Sequence, residues 1–133
     1  MHTAHYVLTI GTDPRSVSTV TAVPDTPLSA SDLAAVTGTA HFPMPLHLTG
    51  DLAAWRPSPL PGDSFDPNPL ATAVLTQLGA GRLGMLAGPW AITSIRANRP
   101  RGLTTAALAT VTTAVLDALA SAPLTDTIGP VAP

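Results

Sequence analysis

Cysteine, lysine and glutamate are all missing from this 133-residue chain. Without cysteine there is no thiol nucleophile, disulfide framework or thiolate zinc site. Without lysine there is no Schiff base, no P-loop lysine and no kinase-type phosphate lysine. Without glutamate, the H-E-x-x-H zinc helix and the usual twelfth ligand of an EF-hand loop are excluded. Aromatics make up only 4% of the chain. Charged residues make up 11%, against roughly 25% in an ordinary globular domain. All eight acids are Asp and all six bases are Arg. Chemistry is therefore left to His, Asp, Ser, Thr, Tyr and Arg. The bias fits either a high-GC genome or selection against lysine modification.

The length predicts a single domain, over residues 1–122, with an irregular tail at 123–133. The chain has 15 prolines and 10 glycines, short of a low-complexity composition, and enough Ala, Leu and Val to build a core. The net charge of −2 predicts neither nucleic-acid nor membrane binding. Its distribution is uneven. Residues 1–81 hold six Asp and two Arg, and residues 82–133 hold four Arg and two Asp. The start lacks the basic and apolar regions of a signal peptide. The charge-free stretches at 67–81, 83–95 and 102–116 all fall short of the ~20 residues needed to cross a bilayer. A soluble, cytoplasmic protein is expected.

His5–Ile10 is rich in β-branched and aromatic residues and reads as a strand. Turn chemistry over 11–15, then Val17, Val20 and Val23 among Ser and Thr, predict a hairpin that ends at Pro24. Ser29 or Ser31 caps a short helix that Gly38 stops. Residues 40–49 look extended, and Pro43 and Pro45 confine them to an edge strand or a strand-like loop. Residues 51–56 suggest one helical turn. Residues 57–69 hold five prolines and read as an accessible loop. Residues 70–78 form a helix, with Asn68 as cap, Pro69 in its first position and Gly79 at its end. Residues 82–87 and 90–95 read as strands on either side of Gly88-Pro89. The longest helix covers 103–120, with Leu103, Ala107, Val111, Ala114 and Ala118 on one face and Leu108, Val115 and Leu119 beside them. The order predicts a small α+β domain: an antiparallel sheet with helices packed on one face and a long C-terminal helix.

Several motifs carry possible chemistry. Gly79-Ala80-Gly81-Arg82-Leu83-Gly84 spells G-x-G-x-x-G, but a helix precedes it and Gly88-Pro89 breaks any helix that follows, so it reads as a helix stop. His41 and His47 share a face only if their segment is a regular strand, and with His2 and His5 at the terminus they match no standard metal spacing. No metal is expected. Asp63 and Asp66 read as solvated loop carboxylates. Ser64 lacks the final glycine of a nucleophile elbow. His47-Leu48-Thr49 resembles the H-x-T motif of the 2H phosphoesterases, which implies phosphodiester hydrolysis by two imidazoles, one base and one acid. The second motif of that family falls at 89–93, where Ala91 stands in place of histidine.

The segment 95–104 places Arg96, Arg99, Arg101 and Gly102 between a strand and the start of the longest helix, with Thr104 following. Free backbone N–H groups and the helix dipole favour an anion there. Residues 99–104 also resemble the R-x-x-G-x-G/A segment of the GCN5-related acetyltransferases, which implies a coenzyme A pyrophosphate site. The sequence departs from that pattern at Thr104 and leaves few residues for the strands that follow in the family. The reading is a small non-enzymatic binding or assembly protein of accessory, regulatory, immunity-like or phage-structural kind. Its anion-binding turn comprises Arg96, Arg99, Arg101, Gly102 and Thr104. The alternatives are a small acyl-CoA or nucleotide-phosphate transferase using that turn, and a phosphodiester hydrolase at His47 and Thr49. No resident cofactor is expected. The expected partners are another protein or a second copy packed through the Ala- and Thr-rich C-terminal helix, and a phosphate-containing ligand, with no membrane.

Overall fold

A computed structural model describes residues 5–12, 18–41, 44–58, 65–81, 84–97 and 99–121. The tail at 123–133 and the central part of the proline-rich loop, 59–64, lie outside the described residues, as do Asp63, Ser64 and His2. The described residues form one six-stranded antiparallel sheet with three α-helices, an α+β fold with a long C-terminal helix. The strands are β1 (His5–Ile10), β2 (Ser18–Val23), β3 (Leu46–His47), β4 (Leu52–Trp55), β5 (Trp90–Arg96) and β6 (Arg99–Arg101). The helices are α1 (Ala30–Thr37), α2 (Pro69–Leu75), which runs on into a π turn at Thr76–Ala80, and α3 (Thr105–Ser121).

The sheet runs in the order β2-β1-β5-β4-β3, and β6 pairs with β5 off that path. Ile92 pairs with Leu8 on one side and Ala54 on the other, while Ser94 pairs with Arg101 and Leu52. β1 and β6 therefore lie end to end along the same flank of β5. They are joined by a reciprocal pair of hydrogen bonds: Tyr6 N–H donates to the Leu103 carbonyl at 3.0 Å, and Leu103 N–H donates to the Tyr6 carbonyl at 2.6 Å.

Both faces of the sheet are covered. Leu8, Ile10, Leu52, Ala54, Trp90 and Ile92 pack with Val74, Leu75, Val111 and Val115 in a core under α2 and α3. The alternate residues Val7, Ala53, Trp55 and Ala91 pack with Leu28 and Leu33 under α1. The single helical layer expected from the sequence thus holds for α2 and α3, and α1 covers the opposite face. The short α1 is set by its ends. Ser29 and Asp32 form a capping box, and the helix stops at Gly38, whose φ is 82°.

Two local expectations are corrected. Residues 52–55 are a strand and not a helical turn, because they pair with β5 and β3 and bury Leu52 and Ala54 on one face of the sheet and Ala53 and Trp55 on the other. A strand covered on both faces loses its alternation, and the helix preference of Ala is outweighed by pairing and burial. Among the described residues of 82–87, only Ala87 pairs, in an isolated bridge to Pro67. The segment is held by the start of α2: Leu86 N–H donates to Thr72 Oγ1 at 3.0 Å, and the Leu86 carbonyl accepts from Asn68 N–H at 2.7 Å.

Candidate functional site

The segment singled out for anion binding is more ordered than a turn. Arg96 and Arg99 pair across β5 and β6, and the hairpin closes through Ala97 at φ 51°. A hairpin holds its side chains at fixed spacing, so Arg101 stands beside Ser94, two residues from Arg96 on the same strand. Thr104 then opens α3: its Oγ1 accepts from Ala107 N–H at 3.1 Å, and its carbonyl accepts from Leu108 N–H at 2.8 Å. The threonine predicted as a ligand donor is the helix cap.

A cleft of about 600 Å³ opens here, lined by Ser94, Arg96, Arg101, Gly102 and Thr104, and also by His5, Asp25 and Asp51. The structure thus gathers four of the five predicted anion-site residues. Arg99 is exposed and does not line the cleft. Gly102 is buried and acts mainly through packing. A Cβ there would lie 2.6 Å from Val23 Cγ2 and 2.8 Å from His5 Cβ.

His5, Asp25 and Asp51 were not visible as site residues in the sequence. His5 pairs with Val23, so the end of β2 delivers Asp25 next to it. Leu28 N–H donates to the Pro100 carbonyl at 2.7 Å and pins that connection to β6. Asp25 Oδ1 then lies 3.4 Å from His5 Nε2 and 3.5 Å from an Arg101 guanidinium nitrogen. Asp51 is placed by its carbonyl, which accepts from Ile95 N–H at 2.7 Å. Each contact joins residues far apart in the chain, and no local pattern announces them. Two arginines therefore face two aspartates, a balanced cleft in which Arg101 is engaged and Arg96 is exposed.

The other candidate chemistries are not assembled in this way. His47 lies exposed on the edge strand β3, opposite Ala53. Ala91 is buried and offers no acid or base. Thr93, in the corresponding position of the second motif, is buried and accepts from Trp55 Nε1 at 2.8 Å. Thr49 N–H donates to the Leu78 carbonyl at the π turn. The glycine motif at 79–84 follows a helix, and Gly79 leaves it at φ 99°. Among the described residues, no group of three or more His, Cys, Asp or Glu could hold a metal ion, and no helix is long and apolar enough to cross a membrane.

His41 belongs to the scaffold and not to a strand shared with His47. It bridges to Pro57, its Nδ1 lies 3.1 Å from the Trp55 carbonyl and its Nε2 lies 2.8 Å from Thr37 Oγ1. A carbonyl only accepts, so Nδ1 carries the proton of the neutral ring. Burial pushes its pKa below the ordinary 6.5, and hydrogen bonds with the backbone at Trp55 and Arg56 partly oppose this. The folded protein thus binds the second proton less readily than the unfolded chain. The His41 contribution is expected to be complete above pH 6.5 and to fall away as pH drops through that value toward the lowered one. Urea unfolding at a series of pH values should show this slope, and His41→Gln should flatten it. Equal slopes in the two proteins would refute the assignment.

Comparison with protein-family models, curated proteins and solved structures finds no match to this chain.

Proposed function

We propose that this chain is a non-enzymatic binding protein whose cleft takes the phosphate or carboxylate group of a ligand between Arg96 and Arg101. The observation that carries the reading is the β5–β6 hairpin, which sets Arg101 beside Ser94 and Arg96 two residues along, at the capped start of α3. Guanidinium groups bind such oxyanions through paired, charge-assisted hydrogen bonds. Asp25 is an internal competitor for Arg101. Its side chain is 64% exposed, and exposed pairs of this kind are worth about 1 kcal/mol or less, so a ligand anion can displace it. Arg99 acts at longer range, by adding charge opposite Arg96.

Titration of inorganic phosphate, a nucleotide and coenzyme A against the full chain tests the reading. Arg101→Ala is expected to weaken binding by about tenfold or more, since contacts to charged groups are worth roughly 1.5–3 kcal/mol. Arg99→Ala should have a smaller effect, and Asp25→Asn should tighten binding. Added salt should weaken binding, because the cleft is open to solvent. If none of the three binds below millimolar concentration, or if Arg101→Ala binds as well as the parent, the hairpin has no such role. Preference for coenzyme A over the simpler anions would favour the transferase alternative.

A further inference from the structure

We infer that the outer edge of β2 pairs with β2 of a second copy of this chain, extending the sheet across a two-fold axis. β2 ends the strand order, with β1 as its neighbour. Tyr6 exchanges both of its backbone hydrogen bonds with Leu103 and so faces away from β2. In an antiparallel ladder this orientation alternates. Thr19, Thr21 and Val23 therefore bond to β1, while Ser18, Val20 and Ala22 direct their N–H and C=O groups outward. Among the described residues nothing pairs with those groups.

Sheet edges are commonly protected by charged side chains, proline, a bulge or short length. The opposite edge is protected in this way, because β3 has two residues and follows Pro45 directly. Within its span β2 has none of these features, and the proline beside it, Pro24, comes only after its last paired residue. Its sequence STVTAV contains no charge and no proline, and its register against β1 runs unbroken from Ser18 to Val23. Val20 stands beside Leu8, which is 1% exposed, yet Val20 itself is 47% exposed. The apolar face of the sheet thus reaches one strand beyond the helices that cover it.

The strand is complementary to itself. Antiparallel pairing centred on Val20 sets Val20 against Val20 of the copy, Ser18 against its Ala22 and Thr19 against its Thr21. All the outward N–H and C=O groups of Ser18, Val20 and Ala22 are then satisfied, the two valines cover each other, and no like charges meet at the axis. A foreign strand would draw its selectivity from side-chain pockets, whereas an identical strand needs only this register.

Sedimentation of the full chain over a concentration series should show reversible dimerisation. Val20→Lys places two like charges on the axis and is expected to weaken the dimer at least tenfold, with the circular dichroism spectrum unchanged. The lack of native cysteine allows a second test that does not rely on that variant folding. Val20→Cys should give a covalent dimer with a short thiol cross-linker, whereas Leu116→Cys, on the exposed face of α3, should not. A chain that stays monomeric at all concentrations overturns the inference. A dimer that cross-links through Leu116→Cys and not through Val20→Cys also overturns it, and places the interface on α3.

Discussion

Asn68→Ala is expected to cost about 3 kcal/mol or more of folding stability, the largest effect of any single side-chain truncation proposed for this protein. Asn68 is 1% exposed and uses both ends of its amide. Its Nδ2 donates to the Ile10 carbonyl at 2.9 Å and the Gly88 carbonyl at 2.8 Å, and its Oδ1 accepts from Ala71 N–H at 3.0 Å. The side chain thus caps α2 while joining the end of β1 to the turn before β5. Alanine removes a cap worth about 1 kcal/mol and leaves two buried carbonyls and an N–H without these partners, at roughly 1–3 kcal/mol for each group left unsatisfied. Such a loss is a large part of the roughly 5–15 kcal/mol that holds a domain folded. Asn68→Asp separates the two roles. It keeps the acceptor for Ala71 N–H but replaces the two donors with a buried carboxylate facing two carbonyls. It should therefore be strongly destabilised at neutral pH and partly recover in acid, where the protonated carboxyl can donate once. Urea unfolding measures both variants. A loss near 1 kcal/mol for Asn68→Ala would mean that only the cap matters.

Gly102→Ala should be the next most damaging change, at about 1–3 kcal/mol, the usual cost of overpacking. The added methyl would meet Val23 Cγ2 at 2.6 Å, His5 Cβ at 2.8 Å and Tyr6 N at 3.2 Å. Tyr6 N is backbone, already bonded to Leu103, so it cannot yield without opening the junction between β1 and β6. That junction also sets His5 near Asp25 and hence the Arg101 side of the cleft. The variant should therefore show lower stability, faster amide exchange at Tyr6 and Leu103, and weaker anion binding together. Gly84→Ala is the matched control, since nothing lies within 4 Å of its added Cβ. Equal stability of the two variants would show that the β1–β6 approach is not tight.

The sequence alone determined the elements whose signals are local. The start and stop of α1 follow from Ser29, Asp32 and Gly38, and the start of α2 from Asn68 and Pro69. The buried face of α3 is the predicted stripe of Val111, Ala114 and Ala118, with Ala107 packed partly against the core. The β1–β2 hairpin and β5 followed from β-branched residues between turns. Caps and periodicity act within a few residues, so the chain displays them directly. The tertiary structure decided whatever depends on a distant partner. Residues 52–55 became a strand because β3 and β5 flank them. Residues 99–101 became β6 because Ser94, Ile95 and Arg96 pair with them. The charges that share the cleft with Arg96 and Arg101 were likewise unreadable, since Asp25 and Asp51 arrive through strand register and backbone hydrogen bonds to β5 and β6. Gly102 shows the same division: its position before the longest helix was legible, but its packing role depended on Val23 and His5, which would lie 2.6 and 2.8 Å from an added Cβ. Local conformational preference is written residue by residue, whereas pairing and burial are properties of two segments at once.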